Sequence, residues 1–153
     1  MKRMVAIRIR GTVGVRKTIK DTLDLLKLPR VSSCVVIDDR ESYLGMLQKA
    51  KDYITYGEIS HDALKQLVLK WGRLPGDERI DESFIKEKTG LSADEFIMGV
   101  LNFEHDLSEL GIKDTFRLHP PRGGYKDTKR GYSQGGSLGA RGDTVNHLLE
   151  RMM

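Results

Sequence analysis

The sequence predicts an α+β fold: a β-α-β-α-β core over residues 1–59, an acidic helical part over 60–114, a long basic Gly-rich loop over 119–142 and a closing helix over 143–152. Three observations predict it. Apolar residues recur alternately at period two and at helical spacing through the first 59 residues. Capping signals then open and close several short helices. Finally, residues 119–142 lose all apolar periodicity while gaining glycine and positive charge.

In Met4 to Arg10, Val5, Ile7 and Ile9 fall on one face and Ala6, Arg8 and Arg10 on the other, predicting a strand with a cationic outer face. Gly11 and Gly14 punctuate a turn. Val15, Ile19, Leu23 and Leu26 then form a helical stripe, ended by Pro29. Cys34 to Ile37 is a short apolar run, expected to be a strand buried on both faces. Ser42 is the expected cap of a second helix carrying Tyr43, Met46, Leu47 and Ala50, and Tyr53 to Ile59 is rich in strand formers. Both helices are expected on one face of the sheet, with right-handed crossings between strands.

Ser60 caps the next expected helix, whose apolar face is Ala63, Leu64, Leu67, Val68 and Trp71. Asp81 caps a short one ending at Gly90. Ser92 and Glu95 spell a capping box before a helix with Phe96, Ile97, Val100 and Leu101 inward. Leu107 and Leu110 continue a helical stretch to Gly111. Thr115 to Leu118 reads as an edge strand, and Asp143 is the expected cap of a last helix with Val145, Leu148, Leu149 and Met152 inward.

Charge is unevenly spread. Residues 1–59 carry 12 Lys and Arg against 7 Asp and Glu, residues 60–115 carry 7 against 12, and residues 116–153 carry 7 against 3. The basic flanks suggest a polyanionic partner and the acidic middle a surface turned away from it. Cys34 is the only cysteine, so an internal disulfide or a multi-cysteine zinc site is excluded and a reducing, intracellular home is expected. No apolar run approaches the ~20 residues of a membrane span, and the alternating charges of Met1 to Gly11 are not a secretory pattern.

The 119–142 segment holds seven glycines, five Lys or Arg and two tyrosines. Such a segment has no core of its own, so a partner must repay its ordering entropy. Arg117, Arg122, Lys126, Lys129, Arg130 and Arg141 are spaced for successive phosphates, and Tyr125 and Tyr132 are suited to stacking on unpaired bases. The competing reading is a solvated flexible segment; Pro120, Pro121 and the closing helix favour a loop fastened at both ends. Lys2, Arg3, Arg8, Arg10, Arg16 and Lys17 form a second basic group on the first strand and turn, where the competing reading is an ordinary solvated strand face. His61, His105, His119 and His147 are scattered, adjacent Glu104, His105 and Asp106 point apart on a helix, and the glycines spell no nucleotide motif, so neither a catalytic set nor a cofactor or metal is expected.

The segments R-I-R-G-T-V-G-V-R-K-T at 8–18, Y-I-T-Y-G-E-I at 53–59, L-H-P-P-R-G-G at 118–124 and the G-Y-K-D-T-K-R-G-Y-S-Q-G-G-S-L-G that follows resemble the ribosomal L-thirty family in its long, archaeal form. The resemblance covers essentially the whole chain, and the 118–139 segment is its most specific part. It implies a ferredoxin-like core, a cytoplasmic place in the large ribosomal subunit, large-subunit ribosomal RNA as partner with 5S ribosomal RNA nearby, other large-subunit proteins as neighbours, and no membrane or small-molecule substrate. Carried over by position, the RNA-facing candidates are Arg8, Arg10, Arg16, Lys17, Arg117, His119, Arg122, Lys126, Lys129 and Arg130. An alternative is an acylphosphatase-type hydrolase, since Gly11 to Arg16 is similar to a phosphate-cradling turn.

Overall fold

A computed structural model describes all residues, Met1–Met153. Five strands form one sheet: β1 (Arg3–Arg8), β2 (Ser33–Asp38), β3 (Ile54–Glu58), β4 (Thr115–Arg117) and β5 (Gly139–Ala140). Their spatial order is β4-β2-β1-β3-β5. Six helices accompany them: α1 (Lys17–Leu25), α2 (Glu41–Lys49), α3 (His61–Trp71), α4 (Glu82–Thr89), α5 (Ala93–Leu101) and α6 (Val145–Met152). The class is α+β, in agreement with the sequence.

The sheet is covered on both faces. Side chains alternate along a strand, so Ala6, Val35, Ile37 and Ile54 meet Leu23 and Leu26 of α1 and Leu47 of α2. Both early helices therefore share one face, as expected. Val5, Ile7 and Cys34 point the other way, into a larger core built from α3, α4, α5 and α6, including Leu64, Leu67, Ile85, Phe96, Val100 and Leu149. The acidic helices are the second cover of the sheet. That corrects the cationic outer face expected of β1: Ala6 and Arg8 lie beneath α1 and α2 and are buried.

The expected right-handed crossings do not both apply. β1 is antiparallel to both β2 and β3, pairing Ala6 with Val35 on one side and with Tyr56 on the other. The handedness rule concerns parallel strands, and the β1–α1–β2 connection must instead leave and return at one end of the sheet. β4 is antiparallel to β2 and β5 parallel to β3. The ends of β1 and β4 and the starts of β2, β3 and β5 consequently lie together.

Local signals explain the helix ends. Ser60 Oγ accepts from Ala63 N–H at 3.2 Å and Asp81 from Phe84 N–H at 2.8 Å. Gly90 closes α4 in the left-handed conformation, and Ser92 and Glu95 complete their capping box. Two expected caps differ. Asp38 holds Arg40 through the latter's backbone N–H at 3.1 Å and its Nε at 2.8 Å, so α2 begins at Glu41 and Ser42 lies inside it. Asp143 sits in a 3₁₀ turn, Gly142–Thr144, that leads straight into α6. Leu107–Leu110 is likewise a separate 3₁₀ turn, set off from α5 by Phe103 at φ 62°.

β3 approaches this last turn very closely. A Cβ on Gly57 would stand 2.0 Å from the Gly142 carbonyl oxygen and 3.0 Å from Val145 Cγ1. Gly57→Ala should therefore cost about 1–3 kcal/mol of stability, the usual range for overpacking, read as a lower denaturation midpoint in urea at unchanged m-value. A midpoint equal to that of the parent chain would show that this contact is loose.

Candidate RNA-binding surface

The strand directions bring four connections to one end of the sheet: the turn 9–16, the return 26–32, the turn 50–53 and the long crossing 118–138 from β4 to β5. The last of these passes from one edge of the sheet to the other. The same end carries Arg10, Arg30, Arg117, Arg122, Lys126, Lys129 and Arg130, with Asp127 as the acid within the crossing.

The cations divide into two kinds. Arg8 is 1% exposed; its Nε donates to Arg10 O at 3.0 Å and its Nη1 to Leu28 O at 2.7 Å. It stitches the turn after β1 to the turn before β2, and burial lowers its pKa. Arg141 is half-buried, its Nε donating to Thr55 Oγ1 at 2.8 Å and its Nη2 to Ser137 O at 2.6 Å; burial lowers its pKa as well. Both guanidiniums hold backbone in place and leave little for an outside ligand.

The others are open. Arg16 and Lys17 are exposed at the start of α1, where Arg16 supplies no side-chain cap. Arg10 is half-buried with its guanidinium 5.3 Å above the Tyr53 ring. Arg117, Arg122, Lys126 and Lys129 are exposed and form no ion pair, whereas Arg130 is exposed with Nε 3.3 Å from Asp127. Arg117 shares a shallow hollow with Arg30 and another with Arg73 and Lys113.

The 119–142 segment has more structure of its own than its composition suggests. It contains a 3₁₀ turn, Tyr132–Gln134, and strand β5. Arg122 N–H donates to Arg151 O at 2.9 Å, and Arg151 Nε returns a bond of 2.9 Å to Arg122 O while its Nη2 reaches Gly124 O. Ser137 Oγ donates to Lys126 O at 2.8 Å. Gly136 packs so tightly that a Cβ would stand 2.0 Å from Arg130 O. At the entry, the His119 ring nitrogens lie 2.7 Å from Pro120 O and 3.0 Å from Met153 O, and the ring meets Trp71 edge-on at 5.8 Å between centroids. His119 therefore fastens the loop rather than standing clear of it. The backbone is pinned while the cationic side chains project.

The two tyrosines differ. Tyr125 is half-buried against the larger core, and burial raises its phenol pKa, with Ser32 pulling it back. Tyr132 is 41% exposed, with the Arg141 guanidinium 4.9 Å from its ring centre. Only Tyr132 keeps a free ring face for stacking. Arg30 was absent from the sequence-derived set. A parallel β1–α1–β2 crossing would have put it at the far end; antiparallel pairing returns it beside Arg117. Its signal is its place three positions before β2, legible only once the strand direction is known.

A sequence model of the family described as ribosomal protein L30p/L7e matches residues 4–54. A protein of Methanosphaera stadtmanae is 51% identical over 148 residues, covering 96% of this chain and 97% of its own length. The chain belongs to the ribosomal protein L30p/L7e family. Similar family members come from Methanococcus maripaludis, 50% identical over 96% of this chain and 97% of its own, and Methanopyrus kandleri, 48% identical over 95% of this chain and 100% of its own. All three are named large ribosomal subunit protein uL30. The family is structural and non-enzymatic, so the acylphosphatase alternative is not supported. No helix is long and apolar enough to cross a membrane.

The division between buried and open cations can be measured. Arg8→Met should lower stability by about 1–3 kcal/mol, through carbonyls left without donors, while leaving the salt slope of RNA binding unchanged. Arg122→Ala and Lys129→Ala should do the reverse, each reducing the slope by up to about 0.9 with an unchanged melt. A slope lost with Arg8→Met and kept with Lys129→Ala would invert the assignment.

Proposed function

We propose that this chain is a structural constituent of the cytoplasmic large ribosomal subunit, binding ribosomal RNA with the cationic end of its sheet. What carries the reading is the gathering there of the turn 9–16, Arg30, Arg117 and the whole 118–138 crossing, with exposed cations on a hydrogen-bonded backbone. Near full-length similarity to proteins named for the large ribosomal subunit supports it.

The contacts we assign are Arg10, Arg16, Lys17, Arg117, Arg122, Lys126, Lys129 and Arg130 on phosphates, and Tyr132 on a base. Arg8, His119, Tyr125 and Arg141 hold that surface in shape. Such binding is mainly counterion release, with stacking adding sequence tolerance. The pinned loop pays part of its ordering cost in the free protein, which favours affinity. Within the subunit we assign 5S ribosomal RNA as a neighbour of this same end, on the strength of the 118–139 segment that marks the long members, and other large-subunit proteins as neighbours elsewhere. The 1–59 part is proposed as the RNA-binding core and the 60–153 extension as its cover and crossing loop.

Affinity for large-subunit ribosomal RNA should be measured against salt for the full chain and for one in which residues 120–136 are replaced by a short Gly-Ser linker. The replacement removes Arg122, Lys126, Lys129 and Arg130, so the slope should fall by about three units. Tyr132→Ala should cost roughly 1–3 kcal/mol of binding at nearly constant slope. An unchanged slope after loop replacement would assign RNA binding to another surface.

A further inference from the structure

The edge of the sheet beside β2 is incomplete. β4 pairs only with Ser33, Cys34 and Val35. The chain preceding β4 turns away there, Lys113 N–H donating to Arg73 O at 2.7 Å. Val36 to Asp38 thus have β1 on one side and no strand on the other. Hydrogen-bonding direction alternates along an antiparallel strand. Leu118 N–H donates to Ser32 O across this edge, so Cys34 and Val36 direct their N–H and C=O groups the same way, and those of Val36 face open space.

That space is a slot of about 250 Å³ between the two helical layers. Leu25 and Leu26 of α1 form one wall, Leu107 and Ile112 the other, and Val36 and Ile37 the floor. Leu25 is 70% exposed. Both layers overhang the sheet where one more strand would lie, and the edge carries no proline or bulge to blunt it.

The charges at the rim are already engaged. Lys27 pairs with Asp114, Arg40 with Asp38, and Lys113 with Asp77 at 2.6 Å. Arg3 donates to Val100 O at 2.9 Å and stands 4.4 Å above the Phe103 ring. A slot with aliphatic walls, whose rim cations are already held by carboxylates or carbonyls of the same chain, suits a polypeptide better than a polyanion. We propose that the slot accepts an extended segment of another large-subunit protein, which adds a strand antiparallel to β2 beyond β4 and seats an apolar side chain on Leu25 and Ile112. This inference rests on the ribosomal reading above, which supplies the partner.

The test uses the full chain in assembled large subunits, carrying a photo-crosslinking residue at Leu25 or, separately, at Lys129. The Lys129 probe should label RNA. The Leu25 probe should label one short segment of another subunit protein, with a yield about tenfold lower when combined with Val36→Pro, which removes the edge donor and spares the β1 ladder. As a second measurement independent of any variant, hydrogen exchange at Val36 should be fast in the free chain and protected in the subunit. Labelling of RNA or of a second copy by the Leu25 probe, or an unprotected Val36, overturns this inference while an RNA-labelling Lys129 probe leaves the ribosomal reading intact. Failure of either probe-bearing chain to enter subunits overturns both.

Discussion

β1 lies between two antiparallel neighbours, and the position of the basic surface depends on that pairing. Its ladder sets Ile7 opposite Cys34 and Thr55 at the same level. Every connection leaving the end of β1 therefore sits beside those entering β2 and β3. β4 and β5 extend the pattern by their own directions. Were β1 parallel to β2, Arg30 would lie at the opposite end from Arg10. Basic residues far apart in sequence converge through hydrogen-bond direction alone.

Convergence of like charges costs free energy, and the fold limits that cost by burying Arg8 fully and Arg141 in part and leaving most of the other cations in water. Arg8 and Arg141 face carbonyl and hydroxyl oxygens rather than carboxylates. A carboxylate partner would have cancelled charge at the cationic end; neutral acceptors take two bonds from each guanidinium and leave the positive field in place. The exposed Lys and Arg stay hydrated in the free protein, where their repulsion is screened within ~8 Å at physiological ionic strength. Phosphates of a bound polyanion would replace both water and counterions.

Much of this was legible in the sequence, and the failures share one cause. Helices with strong local signals, such as the one opened by Ser92 and Glu95, start where the capping pattern says. The buried residues of α3 and α6 follow their stripes. What local pattern cannot express is what lies across the sheet. Period two in Val5 to Arg8 is the same whether one face is solvated or covered by α1 and α2, so Arg8 read as a surface cation. Strand direction is equally silent, which hid Arg30. Composition misjudged the loop because its order comes from specific hydrogen bonds: Arg151, 29 positions on, holds Arg122, and Ser137 closes on Lys126 within the loop itself. Ser42 has no capping role because Asp38, four positions earlier, holds Arg40 by its backbone N–H and guanidinium, and α2 starts at Glu41 with no side-chain cap.

The acidic helical layer has a place in the same physics. Its residues cover Val5, Ile7 and Cys34, so some cover of that face is required for burial alone. Burial does not require the cover to be acidic. Residues 60–115 carry 12 Asp and Glu against 7 Lys and Arg, while the flanking parts are basic. A molecule polarised in this way meets a polyanion in one preferred orientation, because turning the helical layer toward RNA brings like charges together. The cations of the β2 edge slot are already held, by carboxylates or, for Arg3, by backbone carbonyls, which leaves few free donors for RNA. Cationic end, acidic layer and an edge of internally bonded charges therefore present three electrostatic characters on one small body.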